Sequence, residues 1–242
     1  DPNIVTEYQF LLDKSEEEVI NKLELLKKAI NEGKLKELNL AGFAYGRFTP
    51  FNFDRHIYGP LIHIAKGTTT IEVIPVHLND GERDFVLHLK DYAEKNKEFF
   101  KDKELYLLRN QSRGRGIGFF EANNFYPDFI MWLVTPGKQY VTFIDPKGLR
   151  QMTSYSWKKI EFAKVVKEIE NRLDDPAIVL NSCIISTTPY EDDGLWKQKM
   201  TKAEFEDCHV LFQEDGIAYI GKMLGKVMSS TFTEANPRQD RG

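Results

Sequence analysis

The chain has 242 residues, 41% of them hydrophobic and 29% charged, with a formal net charge of −4. That gives room for one full domain and a smaller appended region around a sizeable core, and it excludes a globally basic nucleic-acid binder, so any such site has to be a local patch. The only two cysteines, Cys183 and Cys208, form no zinc signature and fit a reducing, cytoplasmic setting, and no apolar run reaches the roughly 18 residues that span a bilayer.

The chain opens on Asp1-Pro2-Asn3 rather than Met, as expected of a piece of a longer polypeptide; no signal peptide is expected. Ser15–Gly33 is predicted helical: Ser15 and Glu18 read as a capping box, Val19, Leu23, Leu26 and Ile30 fall at helical spacing, and Gly33 suits the position after the cap. From Leu38 to about Val76, short apolar runs broken by Gly and Pro predict strands and loops. Asn79–Glu98 is predicted as a second helix, with Phe85, Val86, Leu89, Tyr92 and Ala93 in one apolar stripe. A strand at Glu104–Arg109 follows, then a Gly/Arg-rich loop at Gln111–Gly118, a strand at Phe125–Val134, a turn at Thr135–Lys138 and a strand at Gln139–Asp145. Trp157–Leu173 is predicted helical and Ala177–Ser186 a fourth strand, which makes the order α-β-β-β-α-β. A short strand at Cys208–Phe212 and a helix at Gly216–Met228 come last, and the polar stretch from Ser229 to Gly242 is expected to fray.

Chemistry concentrates between Phe125 and Gly148. Two strands joined by a tight turn pair antiparallel, which sets Asp128, near the start of one, beside Asp145, near the end of the other. Side chains alternate along a strand, so Asp145 and Lys147 point the same way. Two carboxylates with a backbone carbonyl and waters are hard oxygen ligands of the kind Mg²⁺ takes. A metal there polarises a phosphate and lowers the pKa of bound water, while Lys147 orients that water or stabilises charge on the phosphate. The plainer alternative is that Asp145-Pro146 simply ends a strand at a turn.

The stretches Leu78-Asn79-Asp80-Gly81-Glu82, Tyr106-Leu107-Leu108-Arg109-Asn110, Phe125-Tyr126-Pro127-Asp128-Phe129 and Phe143-Ile144-Asp145-Pro146-Lys147-Gly148 resemble the PD-(D/E)xK nuclease superfamily. Among its members they are similar to the C-terminal endonuclease domain of type III restriction subunits and related defence helicase-nucleases. The resemblance runs from about Ile74 to Pro189, about half the chain. It implies an α/β, restriction-endonuclease-like core at 76–228, an N-terminal α+β extension at 1–75 and a flexible tail at 229–242. It also implies Mg²⁺-dependent DNA cleavage in restriction or phage defence, with Mn²⁺ able to substitute, and Asp128, Asp145 and Lys147 as catalytic residues. The implied partners are DNA, a helicase or translocase module and a methyltransferase subunit. Family members also place a Glu on the first core helix near the metal. Glu82 is the candidate here, and Asn79-x-x-Glu82 is equally a capping-box pattern, so both readings stand. Two departures are plain. Pro146 in the Asp-x-Lys slot cannot donate a ladder hydrogen bond. No GxxxxGK(S/T) loop occurs, so a motor would lie outside these residues.

Basic residues gather near the same place in sequence: Arg109, Arg113, Arg115 and Lys147, with Lys158 and Lys159 at the start of the second core helix. Arg113-Gly-Arg-Gly116 either follows a phosphate backbone or is a solvated loop. The five histidines show no metal-pair spacing, Cys183 reads as a small buried hydrophobe, and Trp132 and Trp157 read as core. Double-strand cleavage from one site per chain implies a homodimer, or two copies meeting on DNA. Two alternatives stay open: a nuclease-shaped module that binds nucleic acid or assembles a complex without cleaving, and a nuclease acting on RNA.

Overall fold

A computed structural model describes residues 9–34, 48–51, 61–65, 70–74, 77–110, 117–119, 125–149, 154–192 and 200–229, without the side chains of 30, 50, 51, 72, 74, 154–161 and 192. The chain divides into two compact units, Asp1–Arg83 and Asp84–Gly242, and the boundary falls in the first turn of the helix Asp80–Lys95. The tail from residue 230 onward lies outside the described residues.

The first unit contains β1 (Gln9–Leu12), α1 (Glu17–Asn31), β2 (Phe48–Phe51), β3 (Leu61–Ile64) and β4 (Ile71–Ile74). β1 pairs antiparallel with β4, and β2 with β3. Val19 and Leu23 lie on one face of α1 and meet Phe48, Ile62, Ile64, Ile71 and Val73 in a shared core. The helix ends as its sequence predicts. Gly33 takes φ +70°, and the Lys34 N–H returns to the Ala29 carbonyl at 2.9 Å, a Schellman closure. Its start differs from the predicted Ser15–Glu18 capping box. Helical hydrogen bonding begins one residue later, with the Ile20 N–H on the Glu16 carbonyl at 3.0 Å, and Ser15 gives its N–H (2.9 Å) and its hydroxyl (2.7 Å) to Asp13. The same two bonds hold the Asp13 carboxyl below its usual range.

The second unit begins within α2 (Asp80–Lys95) and continues through β5 (Glu104–Arg109), β6 (Phe129–Thr135), β7 (Lys138–Lys147), α3 (Ser154–Leu173), β8 (Ile178–Ser186), α4 (Lys202–Asp207), β9 (Val210–Phe212) and α5 (Ala218–Ser229). Its strands form one five-stranded mixed sheet in the order β5-β6-β7-β8-β9, antiparallel from β5 to β7 and parallel from β7 to β9. The class is therefore α/β, a mixed central sheet flanked by helices. The β6–β7 hairpin closes on Thr135↔Lys138, with Gly137 at φ +86°, a conformation glycine adopts without cost.

Period-two alternation divides the side chains between the two sides of the sheet. Ile130, Phe143 and Leu180 pack under Phe162 and Val166 of α3, with Trp132 and Val141 at the margin. Ile184, Val210 and Phe212 are covered by Phe205 of α4. On the other side Phe129 meets Phe85 of α2 at 5.2 Å, and Asn181 donates to the Val227 carbonyl of α5 at 3.3 Å.

Several boundaries shift by a few residues, and three differences from the sequence expectation matter for the sheet. The strand predicted from Phe125 starts at Phe129, and Phe125 bridges to Phe119 instead. The stretch before β9 forms α4, started by a reciprocal Thr201–Glu204 capping box. β7 runs on through Pro146 to Lys147, where β8 still pairs with it (Pro146↔Ile185, Lys147↔Ser186). β6 has already ended at Phe129↔Ile144. Pro146 therefore stands where β7 is an edge on one side, the setting in which a missing N–H is tolerated. Among the described residues no helix is long and apolar enough to cross a membrane.

Candidate functional site

The β6–β7 register places the sequence-predicted residues. Phe129↔Ile144 is the last pair, and one step further the register sets Asp128 level with Asp145. Lys147 follows Asp145 by two residues on the same strand, hence on the same side. Asp145 is 6% exposed, the Asp128 side chain 30%, and Lys147 is half-buried. One carboxylate is thus set into the sheet and the other stands at its rim.

The turn after β8 ties off the same corner. The Thr187 N–H donates to the Lys147 carbonyl at 3.0 Å. The Ser186 hydroxyl, opposite Lys147 in the register, donates to the Thr188 carbonyl at 2.6 Å. A Cβ on Gly148 would stand 3.3 Å from the Thr188 hydroxyl and 3.4 Å from that of Thr187, so glycine lets the chain leave β7 beside these two groups.

Asp128 is gripped from β5. Its carbonyl accepts the Asn110 N–H at 2.8 Å and Arg109 Nη1 at 2.8 Å, and Nη1 lies 3.4 Å from its Oδ1. The Arg109 guanidinium rests over the Phe129 ring, 5.1 Å from its centroid. Arg109, which the sequence reading puts on a DNA path, has its guanidinium against Asp128. Sequence reasoning missed Asn110, which is 7% exposed and whose side-chain amide donates to the Pro127 carbonyl at 2.8 Å. The signal for it is a buried amide closing an apolar strand, which must find partners wherever it folds.

Glu82 belongs to the first unit. Its carboxylate accepts the Asn79 N–H at 2.9 Å, and its own N–H donates to Asn79 Oδ1 at 3.0 Å. Of the two readings for Glu82, these bonds are those of the capping box. Arg113 and Arg115 lie outside the described residues, as does the side chain of Lys158. Cys183 is a buried thiol that desolvation pushes up to about 12, so it is no nucleophile at neutral pH.

Among the described residues no group of three or more His, Cys, Asp and Glu converges. The corner therefore offers two carboxylates, whose hard anionic oxygens suit Mg²⁺, an ion that keeps several waters and takes one or two carboxylates. The donor chemistry fits that ion. No family model, curated protein or solved structure matches the chain.

Proposed function

We propose that the chain is a metal-dependent nuclease of the PD-(D/E)xK kind, hydrolysing DNA phosphodiester bonds as the cutting part of a restriction or phage-defence system. The observation that carries this reading is the level placement of Asp128 and Asp145 across β6 and β7, with Lys147 one alternation beyond Asp145. Asp128 and Asp145 would hold Mg²⁺ or Mn²⁺. A bound ion there supplies Lewis-acid polarisation of the phosphate and a more acidic water.

The chain's own groups do the rest. Asp145 sits in a largely buried setting, where charge interactions are stronger than in water. Lys147, half-buried at the end of β7, presents an ammonium to orient the attacking water or to offset charge growing on the phosphate. Arg113, Arg115 and Lys158 are the proposed contacts to neighbouring phosphates. A helicase or translocase module, a methyltransferase subunit and a second copy of the chain are the proposed partners.

The test is incubation with supercoiled plasmid in Mg²⁺, in Mn²⁺ and in chelator, beside Lys147→Ala and Asp128→Ala. Nicking or linearisation that needs metal and both side chains is expected. Full activity in Asp128→Ala sinks the assignment. No cleavage, together with no metal binding by calorimetry, favours a nuclease-shaped binding module, and cleavage confined to RNA in a substrate panel moves the reading to a ribonuclease.

A further inference from the structure

We infer that Arg109 is the positioning residue of this corner: it fixes Asp128 as a metal ligand, and nucleic-acid phosphate is not its partner. The inference rests on the nuclease reading above. Arg109 Nη1 reaches two atoms of one residue, the Asp128 carbonyl at 2.8 Å and Asp128 Oδ1 at 3.4 Å. That couples the backbone of Asp128 to the direction of its carboxylate. The same carbonyl accepts the Asn110 N–H at 2.8 Å, so adjacent donors at the end of β5 hold the chain where it enters β6.

The guanidinium is itself held. It lies over Phe129, which is 0% exposed and packs on Phe85, so its platform belongs to the core. The Arg109 side chain is only 20% exposed, and reaching a phosphate would require leaving both Asp128 and the ring. Charge gives the grip a second purpose. Two carboxylates level with each other repel, and a fixed cation beside Asp128 offsets that repulsion before a metal arrives.

Arg109→Gln and Arg109→Lys test this, with Mg²⁺ titrated by calorimetry in the absence of DNA. DNA affinity is measured against salt by fluorescence anisotropy, kcat and KM on plasmid, and the fold by circular dichroism. Arg109→Gln is expected to weaken Mg²⁺ binding by roughly 10–100-fold, the usual cost of a lost partner to a ligand. It should lower kcat and leave the slope of log K against log salt unchanged. Arg109→Lys keeps the cation without the planar fork and should fall between the two. Unchanged Mg²⁺ affinity with a salt slope reduced by about 0.9, the value of one phosphate contact, overturns the inference in favour of a DNA contact. Wild-type protein that binds no Mg²⁺ overturns the nuclease reading and this one together; wild-type binding matched by Arg109→Gln overturns this one alone. If Arg109→Gln does not fold, Arg109→Lys decides, and an affinity equal to wild type overturns the inference.

Discussion

The side-chain amide of Asn110 donates to the Pro127 carbonyl at 2.8 Å and to the Ile117 carbonyl at 2.9 Å, while its oxygen accepts the Ile117 N–H at 2.9 Å. One buried side chain thus closes the hydrogen bonding of two loop segments against the end of β5. Asn110→Ala leaves those backbone groups with no amide to answer them. A buried group left unsatisfied costs roughly 1–3 kcal/mol, and with relaxation the loss should be about 2–3 kcal/mol. Urea unfolding checks it, as a lower midpoint at unchanged slope. On the proposed nuclease reading Mg²⁺ affinity should fall with it, because the segment held is Pro127–Asp128. A midpoint equal to wild type would mean that the amide is not what holds the segment.

Phe85 and Phe129 meet at 5.2 Å with an interplanar angle of 48°, and both are 0% exposed. This contact fastens α2 to β6 at the strand end that leads to Asp128. Phe85→Ala should cost roughly 3–5 kcal/mol, the range for emptying a buried aromatic position. The loss is read from thermal or urea unfolding. A cost below about 1 kcal/mol, the size of an ordinary substitution, would show that the sheet collapses onto the vacancy or that α2 is held elsewhere.

The β6–β7 hairpin was legible because its signals agree: β-branched and aromatic runs on both strands, with Pro136-Gly137 between them. That agreement is also why the level placement of Asp128 and Asp145 could be anticipated. The start of α1 differs because helical hydrogen bonding begins on the Glu16 carbonyl, one residue past Ser15, a shift that pattern alone does not rank. Pro146 looked like a strand end. Its tolerance depends on β6 stopping two residues earlier in the register, a tertiary fact. The contact of Arg109 with Asp128 was not legible, because charge is visible in a sequence and the neighbour that the β5–β6 pairing brings to it is not.

Burial makes a prediction about reactivity. Desolvation pushes the Cys183 thiol up to about 12, and desolvation followed by the nearby Asp207 charge pushes Cys208 up to about 11. Both exceed the ordinary thiol value of about 8.5, so the thiolate is scarce at pH 8. Native protein at pH 8 should resist iodoacetamide over hours, and both cysteines should alkylate promptly in urea. Intact-mass spectrometry counts the adducts. Rapid labelling of native protein would mean that β8 and the α4–β9 junction open readily.

Asp215 receives Lys202 Nζ at 2.6 Å on one oxygen and Lys222 Nζ at 3.3 Å on the other. Burial pushes its carboxyl up, but the hydrogen bonds and charge of the two lysines outweigh burial and hold it below its usual value. A carboxyl depressed in the folded state favours folding above its unfolded value, about 3.9, and that contribution is lost as pH falls through the folded value. Stability of the wild type should therefore decline below about pH 4. Asp215→Asn should be less stable by about 1 kcal/mol at pH 7, in keeping with partly exposed ion pairs, and flatter in the acid limb. Urea unfolding at a series of pH values from 7 to about 3 separates the two curves. Parallel curves would place the acid sensitivity on other carboxylates and leave the lysine pair as surface contacts of little weight.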